Sequence, residues 1–233
     1  MKKLLAIAAA LAVAASLTAC GGGSTGGSSS GGYSGGAGGN SSSGGKSKSA
    51  DGISVMTIDH IFIFHNNVYA GTYTGDVNTM AKIPYGSGTF TGSSPDGITV
   101  TASGEWGPTG LNGQGEVSWE AVDPSADIQK MEFKGTFTDS TLNGEGEMRI
   151  YYSESYADHL QIKYEIFKGS FVDDDPVGTF TWTVYPTDEL AAKTGFDHSI
   201  AEGTFDINSY SLEKPYTMRI YSGDTLAYEE VVE

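Results

Sequence analysis

Five glycines, Gly71, Gly104, Gly135, Gly169 and Gly203, recur along this chain at intervals of 33, 31, 34 and 34 residues. Each is followed two residues later by an aromatic ring: Tyr73, Trp106, Phe137, Phe171 and Phe205. Beyond two of these rings comes the same phrase, Leu-Asn-Gly-x-Gly-Glu, at Leu111 to Glu116 and again at Leu142 to Glu147. Met148-Arg149-Ile150-Tyr151 returns as Met218-Arg219-Ile220-Tyr221, two periods later. Self-similarity at such a period restricts the chain to stacked copies of one supersecondary unit.

The unit is a β-hairpin. Met131, Phe133, Gly135 and Phe137 alternate with Lys130, Glu132, Lys134 and Thr136, the two-residue period of a half-buried strand. Turn signals separate such runs at Asp96-Gly97, Asn112-Gly113, Asn143-Gly144 and Gly223-Asp224. A single hairpin buries too little to stand alone, so the copies must join into one sheet. The expected fold is therefore all-β: an extended, twisted antiparallel sheet of repeated hairpins with a concave face. A shift in apolar phase between Leu160 and Phe171 predicts a β-bulge near Ile166. One short helix is expected over Asp188 to Lys193, with Thr187 as N-cap and Gly195 just beyond its end.

At these residues the chain resembles the MORN-repeat family, whose core reads aromatic-x-Gly-x-aromatic, a short turn, then Gly-x-Gly. Phe133-Lys134-Gly135-Thr136-Phe137 with Gly144-Glu145-Gly146 matches best, and the resemblance runs from about Tyr69 to Phe205. The period is longer than the family's, and Gly178-Thr179-Phe180 lacks the second glycine. Those departures imply longer hairpin arms and degenerate terminal units. The lipid binding associated with some members of that family is not expected here, because the charge opposes it.

That charge lies in residues 51–233. All 29 acids fall from Asp51 onward, against nine basic residues beyond Lys48, so residues 51–233 carry about −20. Such a field repels nucleic acid and anionic head groups and attracts cations or basic partners.

Ahead of the repeats, Lys2 and Lys3 precede an apolar run from Leu4 to Leu17, which is shorter than the ~20 residues of a membrane-spanning helix. Leu17-Thr18-Ala19-Cys20 resembles the lipobox of bacterial lipoproteins. The resemblance implies cleavage before Cys20 and attachment of lipid to its sulfur. Residues 1–19 are then a signal peptide, residues 20–50 the lipidated cysteine with a Gly/Ser tether, and residues 51–233 the folded domain. Each buried lipid CH₂ adds roughly 0.8 kcal/mol, and two or three chains hold a protein stably. The expected location is the cell membrane or an outer membrane, with the domain outside the cytoplasm. The tether's root-mean-square reach is about 30 Å. Cys20 is the only cysteine, so the mature chain has no thiol nucleophile and no internal disulfide.

Two constellations are open to more than one reading. Tyr73, Trp106, Phe137, Phe171 and Phe205 form either a stacking platform for a sugar or peptide, or a packing ladder. Asp173-Asp174-Asp175 offers oxygens to Ca²⁺, yet it lacks the spaced ligands and the glycine of an EF-hand loop, and its repeat context favours a solvated turn between two hairpin strands. His60, His65, His159 and His198 are not spaced as a zinc site, and no nucleotide-binding or serine-hydrolase motif is present, so no cofactor is implied. The expected role is a non-enzymatic binding or scaffolding module for an envelope protein, peptide or glycan. A structural spacer without a ligand and a hydrolase built on two carboxylates are the alternatives.

Overall fold

Alternation in the repeats becomes strand throughout the computed structural model, which describes residues 52–206 and 211–233. The first seven strands are β1 (Ile53–Phe64), β2 (Asn67–Asn78), β3 (Ile83–Ser93), β4 (Ile98–Gly107), β5 (Gly110–Ala121), β6 (Ile128–Thr138) and β7 (Thr141–Tyr152). After helix α1 (Glu154–Leu160) come β8 (Ile162–Val172), β9 (Asp175–Pro186) and helix α2 (Asp188–Thr194). The chain ends with β10 (His198–Asp206), the two-residue β11 (Ser211–Leu212), β12 (Tyr216–Ser222) and β13 (Thr225–Val232). Each strand pairs antiparallel with the next, giving an open meander from β1 to β13 with β11 set aside on β10. Successive hairpins in one unclosed antiparallel sheet are what the repeat implied.

The repeat glycines meet in a single row. Across seven neighbouring strands, from β2 to β8, Gly75, Gly88, Gly104, Gly115, Gly135, Gly146 and Gly169 stand opposite one another in register. The row runs through the inward face, since the residues two places away, such as Phe133 and Phe137 around Gly135, are buried. Side chains from neighbouring positions fill the space that the glycines leave. A Cβ on Gly88 would stand 2.1 Å from the Tyr73 hydroxyl oxygen, and one on Gly169 would stand 2.8 Å from the Phe180 ring. Phe180, where the second glycine of its repeat is missing, is the next residue in the row and pairs with Gly203.

Without side chains along that line the sheet bends sharply. Phe62 of β1 lies 5.4 Å from Trp106 of β4, and Phe64 lies 5.1 Å from Phe133 of β6, centroid to centroid. In a flat sheet, three and five strand spacings separate such residues by about 14 and 24 Å. The first hairpin therefore curls over the concave face, and Phe62, Phe64, Tyr69, Tyr73 and Phe90 are at most 1% exposed.

Helix α2 forms where expected: Thr187 accepts from the Leu190 amide, and Gly195 ends the helix in the left-handed conformation. Helix α1 was not anticipated. Ser153 caps it, but its seven residues bury only Ala157 and so carry no apolar period. The bulge expected near Ile166 is displaced by a few residues. Pairing of β7 with β8 is unbroken through Ile166, and the register shifts against β9 fall between Ile162 and Tyr164 and between Gly169 and Ser170. The phase therefore changes at Lys163, turning Glu165 inward and leaving Tyr164 and Ile166 on the outer face. No helix among the described residues is long and apolar enough to cross a membrane, and Cys20 with the tether lies outside them.

Candidate functional site

The five repeat aromatics point inward. Tyr73, Trp106, Phe137 and Phe171 are at most 3% exposed, and Phe205 is 9% exposed. Tyr73 packs edge-on to Trp106 at 5.0 Å, and Phe171 edge-on to Phe180 at 5.2 Å. The Trp106 indole donates to the Gly88 carbonyl, and Tyr73 donates to the carbonyls of Asp76 and Ser87. As placed, these rings offer a ligand no open face. The geometry gives them to the packing ladder.

Asp173 and Asp174 are the two left-handed residues of the tight turn joining β8 to β9. The Leu142 amide donates to Asp174 Oδ1 at 2.6 Å, the Asp174 amide returns a bond to the Leu142 carbonyl, and the Asp173 amide donates to Asn143 Oδ1. One repeat earlier, Ser140 clasps Leu111 in the same way. Each Leu-Asn-Gly phrase thus receives the turn of the following hairpin. Burial pushes the Asp174 carboxyl above the ordinary range, against the opposing pull of His65, 3.9 Å away. Its Oδ1 is engaged in this clasp and its Oδ2 faces His65, and no three His, Cys, Asp or Glu side chains form a metal-ligand group among the described residues.

The outer face carries what the sequence reading missed. Across β7, β8, β9, β10 and β12, Tyr151, Tyr164, Tyr185, His198 and Tyr221 stack one upon another. The centroid separations are 5.4, 4.3, 5.5 and 4.7 Å, with interplanar angles of 29°, 16°, 27° and 7°. All five rings are part-buried, because each covers much of its neighbour's face and leaves its edge to solvent. Offset stacks of this kind contribute about 0.5–1.5 kcal/mol per pair beyond burial. Lys130 caps the first ring at 6.0 Å, and Asp197 holds His198 at 2.7 Å.

Beside the ladder runs a row of ion pairs. Glu147 accepts from Arg149 at 2.6 Å, while Glu202 and Glu229 accept from Arg219 at 2.5 and 2.6 Å. Both guanidiniums are held above their ordinary range, first by the hydrogen bonds they donate to Glu147 and to Glu229. Tyr151 donates to Glu132; although burial opposes ionisation there, bonds from Lys130 and Tyr151 keep this carboxyl below its ordinary value. Past Tyr151 the face dips into a polar hollow of about 340 Å³ between Glu116, Glu132, Lys134, Glu147 and Arg149.

Tyr151 and Tyr221, with Arg149 and Arg219, are the repeated Met-Arg-Ile-Tyr phrase, so the sequence marked both ends of the ladder. Tyr185 stands 16 residues after Gly169 as Tyr151 does after Gly135, and Tyr164 and His198 each stand five residues before a repeat glycine, Gly169 and Gly203, so repeat offsets also mark the middle of the ladder. Opposite the ladder, Glu165 sits on the inward face at 4% exposure, between Ile150 and Val184, and accepts from the Tyr152 hydroxyl at 2.9 Å. Burial raises its pKa to about 7. No family model matches this chain, and no curated protein is similar to it. Its function has to be argued from its own residues.

Proposed function

We propose that this chain is a lipid-anchored envelope protein, held through Cys20, that acts as a non-enzymatic binding module and presents the outer face of a sheet of MORN-like hairpins to an extended envelope polymer. The carrying observation is the five-ring ladder, part-exposed on the face that the core does not use. Burying one face is enough to hold the sheet together, and outward strand positions are ordinarily polar. Here they carry aromatic rings in a continuous line. The charged groups beside the line are spent on one another, an arrangement suited to holding a ligand rather than transforming it.

Co-sedimentation of the detergent-solubilised full chain with purified peptidoglycan sacculi tests the reading. Saturable binding is expected, and it should be lost when Tyr164 and Tyr185 are both changed to alanine. An unbound chain would leave a structural spacer as the better account. Release of soluble fragments from the sacculi would make the protein a hydrolase.

A further inference from the structure

Resting on the binding reading above, we infer that the ladder's ligand is an uncharged, β1,4-linked glycan strand lying across the β-strands, about one sugar to each ring. The spacing argues for it first. Four steps of 4.3 to 5.5 Å carry the ladder over about 20 Å, and a ligand using all five rings has to be straight and repeat at that step. A β1,4-linked hexopyranose strand is stiff and extended, and it advances about one inter-strand spacing per sugar. An extended peptide presents one face only every second residue, about 6.7 Å apart, and falls out of register within a few residues.

Charge argues for it next. The folded domain carries about −20, and the guanidiniums of Arg149 and Arg219 are already neutralised by Glu147, Glu202 and Glu229. A polyanion would meet net repulsion, with both guanidiniums beside the ladder already taken. A hydroxyl-rich neutral chain needs donors and acceptors instead. The ladder supplies them at its solvent edge: the Tyr221 hydroxyl makes no hydrogen bond to the described protein, and the carboxylates beside Arg219 keep lone pairs to accept more. Because the rings cover one another's faces, contact falls on ring edges and hydroxyls, so recognition depends on the phenol oxygens as well as the rings.

The test is calorimetric titration of the full chain, in a non-glycosidic detergent, with β1,4-linked N-acetylglucosamine oligomers from dimer to octamer. Affinity should rise with each added sugar and level off near the pentamer, where the fifth ring is used. A variant combining Tyr164→Phe, Tyr185→Phe and Tyr221→Phe keeps every ring and should melt like the parent. It should bind the pentamer about tenfold more weakly, a change of ~1.4 kcal/mol. Oligolysine and polyphosphate serve as charged probes. A pentamer that binds no tighter than the dimer overturns the glycan assignment. If oligolysine then binds and the Tyr164→Ala/Tyr185→Ala variant loses it, the outer face remains the binding surface and only the ligand class falls. If no probe shows ladder-dependent binding, both readings fall.

Discussion

Replacing Gly88 by alanine probes the glycine row where it is tightest. The added Cβ would stand 2.1, 2.3 and 2.5 Å from Oη, Cζ and Cε2 of Tyr73, a ring with no solvent exposure that donates to the Asp76 and Ser87 carbonyls. Gly88 also faces Gly75 and Gly104 across the strands, so its backbone has little room to retreat. Overpacking of this kind costs about 1–3 kcal/mol, and each hydrogen bond lost as Tyr73 swings aside costs about 1 kcal/mol more. The total is about 4 kcal/mol. For a domain of this size that is a fall in melting temperature of roughly 8–16 °C. The natural control is Gly107→Ala, whose Cβ would meet only Asn112 at ordinary contact distance and should change stability by less than about 0.5 kcal/mol. Chemical denaturation of both variants, with Tyr73→Leu added to the first, completes the measurement. The smaller side chain should restore part of the loss, giving strongly non-additive energies. If Gly88→Ala and Gly107→Ala are equally mild, the row does not set the curvature and the packing account is wrong.

Three further outcomes are expected, two from the fold and one from the lipobox resemblance. Glu165 ionises near 4.5 when unfolded and near 7 when folded, so the native state binds the extra proton between those values; stability should fall by about 3 kcal/mol as pH rises from 4.5 to 7 and level off above. Urea titrations of Glu165→Gln should lack that slope and show a gain over the parent at pH 8, whereas an unchanged slope would assign the titration elsewhere. Asp174→Ala strands the Leu142 amide and should cost about 2 kcal/mol in a melting experiment, while a neutral outcome would mean that the clasp between hairpins contributes nothing. Cys20→Ser should abolish incorporation of radiolabelled palmitate and move the chain out of the membrane fraction; retention of label would place the lipid on another residue.

Much of the fold could be read from the chain because a repeat states the same instruction several times. Gly104, Gly135 and Gly169 announced stacked hairpins, and Thr187 with Gly195 bracketed a helix that duly forms. What the sequence withheld was register. That these glycines share one row with Gly75, Gly88, Gly115 and Gly146 depends on which residues stand opposite one another, and no linear spacing reports that. The outer ladder was hidden for a related reason. Apolar alternation alone runs Ile162, Tyr164 and Ile166 along one face, but the shift at Lys163 exchanges the faces, so the buried residue is Glu165 and the tyrosine joins Tyr151 and Tyr185 outside. A charged residue on the inner face and an aromatic on the outer one both run against the rule that hydropathy marks the core. Helix α1 escaped because seven mostly polar residues have no periodicity to detect, leaving the Ser153 cap as its only sign.

A ligand held on the outer face should perturb the ladder and leave the buried rings alone. Nuclear magnetic resonance of the chain carrying ¹³C-labelled tyrosine and phenylalanine rings, titrated with the N-acetylglucosamine pentamer, separates the two aromatic sets. Ring signals of Tyr151, Tyr164, Tyr185 and Tyr221 should shift progressively to saturation, while those of Tyr73, Phe137 and Phe171 stay fixed. Shifts confined to the buried rings, or no shift on either face at saturating pentamer, would contradict the claim that the ladder is the binding surface.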